Sequence, residues 1–279
     1  MKSQNKERRS SMSKLTDDIK AAANDGMEAV IIKNRLEKLF IEDRSDQDRY
    51  GLHASAVIAS DDQFCYRAQL LSLFYRQNQG QQLPIKQLKI FAQGNAMHEK
   101  WYKLFRKAGI DVAIERTLWL PEYDLSFTID ALLDFNKPKG LDPDEIICDV
   151  KSQSSFAFKK TTRHPSGEKQ INFYCWALSK YTGVPHKKGF VLVDSKDDQE
   201  IRVVPVHYDK EKVKPYVYRL KNIQEMKKAF IEEHEVPPRK CKNCDCKMAQ
   251  NCFMRDACFG IGQGRRKLSK DERKGPGKS

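Results

Sequence analysis

The chain has no run of eighteen apolar residues and no apolar segment near its N-terminus. That excludes a hydrophobic transmembrane helix and a secretory leader, and the expectation is a soluble, cytoplasmic protein with no membrane partner. It has no internal repeat, which excludes a repeat array. It also lacks a complete G-x-x-x-x-G-K-[ST] phosphate loop, because the terminal Gly275-Pro-Gly-Lys-Ser has no leading glycine. Any helicase or recombination ATPase working with it is therefore expected to be a separate chain. What remains is long enough, at 279 residues, to bury a sizeable core.

Acidic residues are scarce at both ends. The formal net charge is +13. Residues 1–14 carry five Lys/Arg against one Glu, and residues 264–279 carry seven against Asp271 and Glu272. Most of the excess thus sits in residues 1–14 and 264–279. The tails that contain them, 1–28 and 263–279, lack hydrophobic periodicity and are expected to be disordered. Such tails suit a phosphate backbone, or serve only as solubilising ends. Eight cysteines in a chain without an export signal argue for metal binding or redox chemistry rather than disulfides.

Between the tails the patterning alternates. Residues 29–42 and 87–108 have apolar residues at helical spacing, the second closed by Gly109. Ser60-Asp61-Asp62-Gln63 reads as a capping box opening a helix over 64–76, with Cys65 in its first turn. Residues 111–120 and 125–135 read as an antiparallel strand pair, and 145–151 as a third strand. Residues 156–160 are expected to form a short strand, 168–181 a helix, 188–194 and 200–207 a hairpin, and 209–234 a long charged helix. The expected class is α/β around a central mixed sheet.

Two of these strands carry charge. Residues 125–135 (LSFTIDALLDF) hold Asp130, and 145–151 (EIICDVK) end in Asp149-Val150-Lys151. Asp149 and Lys151 share one face of their strand and Val150 lies on the other. Two carboxylates on neighbouring strands beside a lysine can hold a divalent cation and a water. The triplet alone is a weak signal, because Asp194-Ser195-Lys196 also ends an apolar strand. Asp149-Val150-Lys151 differs in having an acid strand before it and a helix bearing Gln170 and Tyr174, four residues apart, behind it.

The order His98, Asp130, Asp149-x-Lys151, Gln170-x-x-x-Tyr174 resembles the PD-(D/E)xK nuclease superfamily of the RecB/Cas4 type, including AddB-like iron–sulfur exonucleases. The resemblance runs from about Ser55 to Cys252. It implies a restriction-endonuclease-like core over 29–238 and a cysteine-rich segment over 239–262. It implies a metal-dependent exonuclease acting on single-stranded DNA or duplex ends, in repair or recombination. His98, Asp130, Asp149 and the Val150 carbonyl would hold Mg²⁺ or Mn²⁺. Lys151 would position the attacking water, and Gln170 and Tyr174 would contact DNA or hold the lysine. Glu115 is a further acid for that site or a surface ion-pair residue. Trp101, Tyr102, Lys159 and Lys160 would stack bases and hold phosphates, or be core rings and solvated lysines.

In that family one early cysteine joins a C-x₂-C-x₅-C group to bind a [4Fe–4S] cluster, stapling the ends of the domain. Here the spacing departs from the pattern. Cys65, Cys241, Cys244 and Cys252 form one candidate set, and Cys65, Cys244, Cys246 and Cys252 another. A Zn²⁺ site built within Cys241–Cys258, without Cys65, is the alternative. Cys148 and Cys175 are read as core residues. The rival function is a non-catalytic nucleic-acid-binding protein with a zinc module in that C-terminal region.

Overall fold

The computed structural model describes residues 33, 34, 36, 37, 51–75, 85–140 and 144–260. Both basic tails and most of the helix expected over 29–42 lie outside the described residues, although Lys33, Asn34, Leu36 and Glu37 are helical. The chain divides into two compact units, Met1–Gln47 with Gln82–Gln93, and Asp48–Gln81 with Gly94–Ser279. In the first, Lys89 Nζ pairs with Glu37 Oε1 at 3.2 Å.

The second unit is built on a six-stranded mixed sheet. Its strands are β1 (Leu52–His53), β2 (Asp111–Leu120), β3 (Leu125–Asp134), β4 (Glu145–Gln153), β5 (Lys188–Ser195) and β6 (Ile201–His207), paired β1-β3-β4-β5-β6 with β2 also on β3. β2–β3, β3–β4 and β5–β6 are antiparallel, while β1–β3 and β4–β5 are parallel. Its helices are α1 (Ala54–Val57), α2 (Tyr66–Ser72), α3 (Ile85–Ala108, of which Gly94–Ala108 belong to this unit), α4 (Ser155–Lys160), α5 (Pro165–Thr182), α6 (Lys210–Glu233), α7 (Lys247–Gln250) and α8 (Arg255–Phe259). The expected mixed sheet flanked by helices is present.

Alternation along β4 and β5 sorts their side chains between two cores. On one face Ile147, Val191 and Val193 pack with Ile171, Phe173 and Leu178 of α5, and Leu220 and Ile223 of α6. On the other, Cys148, Val150 and Leu192 meet Tyr102 and Phe105 of α3. Cys148 and Cys175 are fully buried, as expected of core residues. The crossover helix α5 lies close to the sheet at two glycines. A Cβ on Gly167 would meet the Val191 methyls at 2.8 and 2.9 Å, and one on Gly189 would meet Ile171 Cγ2 of α5 at 2.7 Å.

Two expected elements form differently. Residues 156–160 belong to helix α4, not a strand. Ser154 caps it by accepting the Ala157 N–H at 3.4 Å, and Phe158 turns inward beneath the Arg202 guanidinium, 3.9 Å from its ring. Ser60–Gln63 forms a turn, and α2 begins only at Tyr66 with Cys65 as its extended N-cap. Buried Arg219 of α6 holds that turn in place, donating to the Val57 and Ala59 carbonyls at 2.6 and 2.7 Å and to Asp61. The long helix behaves as read, with Asp209 at its N-cap and His234 in the left-handed conformation at its C-cap.

Candidate active site

The β3–β4 ladder runs from Asp134↔Glu145 to Ala131↔Cys148 and stops. β2 occupies the opposite edge of β3 along its length, so β1 shares with β4 the edge that the ladder vacates. At the first missing rung a side chain replaces the backbone bond: Asp130 Oδ2 accepts the Val150 N–H at 2.9 Å. Asp130 is thereby fixed where the strands part, beside Asp149.

Asp149 is fully buried. Its Oδ1 accepts from Lys151 Nζ at 2.7 Å, and its Oδ2 has no hydrogen-bond partner among the described residues. Burial pushes its carboxyl up to about 7, the Asp130 carboxylate pushes the same way, and Lys151 only partly opposes them. Lys151 keeps a quarter of its side-chain surface exposed, so its ammonium lies between the buried acid and solvent. On α3, His98 Nδ1 shares a hydrogen bond with the Tyr102 hydroxyl at 3.1 Å and stands 4.0 Å from Asp130 Oδ2.

α5 supplies the opposite wall. Gln170 Nε2 donates to the Tyr174 hydroxyl at 2.7 Å. Burial holds that phenol well above its ordinary range, with Asp149 and Asp130 adding to the effect. Tyr174 therefore keeps its proton and remains a donor beside the two carboxylates. The structure thus gathers Asp130, Asp149, Lys151 and Tyr174, with Gln170 on Tyr174 and His98 at the edge.

Other expected residues have different surroundings. Tyr102 is 2% exposed and packs in the core, and half-buried Trp101 donates Nε1–H to buried Asp194 at 2.8 Å. Lys159 pairs with Asp198 at 3.1 Å. Glu115 lies on the exposed side of β2 with a positive φ of 46°, at the position facing Asp130. Three groups escaped the sequence reading. Phe156 on α4 is 77% exposed, with Lys160 Nζ 6.0 Å from its ring centroid. His164 caps α5, a start that Pro165 at the first helical position could have signalled. Arg67 and Lys240 stitch the two cysteine-bearing segments together.

That stitching is extensive. Arg67 donates to the Pro237 carbonyl at 2.8 Å and to Cys258 Sγ at 3.2 Å. Lys240 donates to the Asp62 and Phe64 carbonyls at 2.9 and 3.1 Å. Cys65, Cys252 and Cys258 pack around Ala68, Leu71 and Met254. Burial pushes the Cys241 thiol up to about 11, and its neighbours Cys246, Cys252 and Cys65 add to this. Burial likewise raises Cys252 to about 11. Cys246 moves the other way, because the Ala249 N–H points at its sulfur from 3.4 Å.

Among the described residues, no three His, Cys, Asp or Glu side chains are already placed to hold a metal ion. The part of the site that fits a hard cation is the carboxylate pair with its orphaned buried oxygen. Cys241, which interacts with Cys246, Cys252 and Cys65, belongs to a set of soft donors of the type that suits a thiophilic centre.

No protein-family model matches the chain, and no curated protein matches it. Among solved structures it is similar to a protein named SSO0001, at 14% identity and a TM-score of 0.44, covering 70% of this chain and 86% of that one. It is also similar to an alkaline exonuclease, LHK-Exo, from Laribacter hongkongensis, at 12% identity and a TM-score of 0.43, covering 70% and 94%. The same exonuclease in complex with dAMP gives 11% identity and a TM-score of 0.38, covering 65% and 90%.

Proposed function

We propose that the chain is a metal-dependent DNA nuclease, acting as an exonuclease on single strands or duplex ends. The observation that carries this reading is Asp149: a fully buried carboxylate with one unpartnered oxygen, clamped between Lys151 and Asp130 where two strands part. A buried acid left in this state costs several kcal/mol, and a bound cation would relieve it.

Asp130, Asp149 and the Val150 carbonyl would hold Mg²⁺ or Mn²⁺, with His98 as the fourth ligand. When bound, the metal supplies an acidified water and neutralises charge on the phosphate. The protein's own residues do the rest. The Val150 N–H fixes Asp130. Lys151 presents its ammonium to the phosphate and attacking water, and Gln170 orients the Tyr174 hydroxyl beside the carboxylates. Exposed Phe156 and Lys160, on the loop side of β4, offer a ring and a cation to an unpaired strand. A time course on 5′- and 3′-labelled single- and double-stranded DNA with Mn²⁺ tests the reading. Wild type should degrade DNA, while Asp149→Ala and Lys151→Ala should bind it without cleavage. Retained cleavage by Asp149→Ala overturns the reading in favour of a non-catalytic DNA-binding protein.

We also propose that Cys65, Cys241, Cys246 and Cys252 hold a [4Fe–4S] cluster, with Cys246 in place of Cys244 in one of the sets that spacing offers and Cys241 in place of Cys244 in the other. Backbone N–H groups lower the Cys246 thiol, which favours its thiolate, whereas the raised thiols of Cys241 and Cys252 would release protons on binding. Anaerobically purified protein should be brown and contain iron. Cys246→Ser should lose both, and stoichiometric zinc in colourless protein would overturn this assignment.

A further inference from the structure

His164 is an uncommon choice of helix cap, since Asn, Asp, Ser and Thr are the usual ones. Its Nδ1 accepts the Gly167 N–H at 3.1 Å, and its backbone N–H donates to Glu168 Oε1 at 3.2 Å. An imidazole that accepts at Nδ1 must be neutral and carry its proton on Nε2. Among the described residues nothing hydrogen-bonds that Nε2. The ring is half-buried, so it does not rotate freely into water.

Its position follows from the packing beneath it. A Cβ on Gly167 would stand 2.9 Å from His164 Nδ1 and 2.8 Å from a Val191 methyl, so the imidazole lies over that part of β5. Val191 is the partner of Asp149 in the parallel ladder, and Val193 that of Lys151. These residues share one face of the sheet. His164 therefore stands over the same face of the sheet as Asp149 and Lys151, near enough for the Lys151 ammonium to act on its ring. Burial and the nearby Lys151 ammonium both lower its proton affinity, which preserves the neutral form the cap requires.

We propose that His164 is a further active-site residue that donates Nε2–H to a non-bridging oxygen of the substrate phosphate, while its Nδ1 locks the ring on the start of α5. This rests on the nuclease reading above. It makes the helix cap a positioning device: the ring cannot swing without giving up the Gly167 N–H.

Asparagine separates the two roles, because it caps a helix well but cannot reach where Nε2 reaches. His164→Asn should melt with wild type, and His164→Ala should melt lower. Both should cleave labelled single-stranded DNA more slowly by about 10- to 100-fold, the loss typical of one donor to a charged oxygen. In EDTA, His164→Asn should also bind a fluorescein-labelled oligonucleotide several-fold more weakly. Wild-type cleavage and binding by His164→Asn, with Asp149→Ala inert, would reduce His164 to a cap and overturn this proposal alone. Cleavage absent from wild type and Asp149→Ala alike would instead overturn the nuclease reading, and this proposal with it.

Discussion

Asp149→Asn should make the metal-free protein more stable while abolishing cleavage. In the folded state the Asp149 carboxyl is pushed from 3.8 to about 7, chiefly by burial. Between about pH 4 and 7 the folded protein therefore holds a proton that the unfolded chain has released. The folded state binds more protons over that window, so this group's contribution to stability falls as pH rises and is fully lost above about 7. A shift of roughly three units at about 1.36 kcal/mol each corresponds to about 4 kcal/mol at pH 8. Asparagine is nearly isosteric, carries no charge, and leaves Lys151 with its partial access to water. The expected gain in EDTA at pH 8 is about 2 to 4 kcal/mol, or roughly 5 to 15 °C in Tm for a domain of this size. Differential scanning calorimetry at pH 5 and pH 8 reads it directly, and the gap should narrow at pH 5. Adding Mn²⁺ should raise the Tm of wild type and leave Asp149→Asn where it was. A variant less stable than wild type in EDTA at pH 8 would show that Asp149 is already satisfied without a cation, and the reasoning would be refuted.

Asp130 should respond with the opposite sign. Its carboxylate replaces a rung of the ladder, so Asp130→Ala leaves the buried Val150 N–H without its acceptor. The expected cost is about 1 to 3 kcal/mol together with loss of cleavage. Asp130→Asn keeps an acceptor there and should recover stability without recovering cleavage, measured by urea melts beside the nuclease assay. Phe156→Ala should leave the Tm unchanged, since the ring is largely in water. It should weaken single-strand binding by about 1 to 3 kcal/mol, read by fluorescence anisotropy, and change duplex binding little.

The readability of the fold tracks how local its causes are. The helix over 210–233 could be read because its cap, its length and its polar face all lie within the segment. Residues 145–151 and 188–194 were legible as strands because β-branched runs bounded by turns have few other uses. Residues 156–160 were misread because Phe-Ala-Phe alternates like a strand. In the folded protein the same alternation puts Phe158 under Arg202, forty-four residues away, and Phe156 in solvent. The start of α2 was misplaced for a similar reason: Arg219 grips the turn at 57–61 from a helix far along the chain. Cys246 ranked below Cys244 while spacing was the only guide. The approach of Cys241 to Cys246 depends on how 241–250 coils, which spacing does not encode.

The two acid-x-Lys triplets show how the same short pattern acquires two uses. In the parallel ladder Lys151 faces Val193 and Ser152 faces Asp194, so the second triplet sits out of phase with the first. Opposed residues share a face, so Asp149 and Lys151 look toward α5, while Asp194 looks toward α3. There Asp194 accepts from Lys100 Nζ at 3.0 Å and from Trp101 Nε1 at 2.8 Å, two bonds that fasten α3 to the sheet. Asp149 receives only its own strand's lysine, and the face it looks toward carries Asp130, Tyr174 and His164 instead of a fastening cation. Each acid keeps one buried oxygen without a partner among the described residues, Asp149 Oδ2 and Asp194 Oδ1, so the orphaned oxygen alone does not separate them. Asp194 has two donors from a helix on its other oxygen, whereas Asp149 has one donor and a second acid beside it, and its charge is the one less answered by the fold. That difference comes from the register of β4 on β5, and it makes one triplet structural and leaves the other available for chemistry.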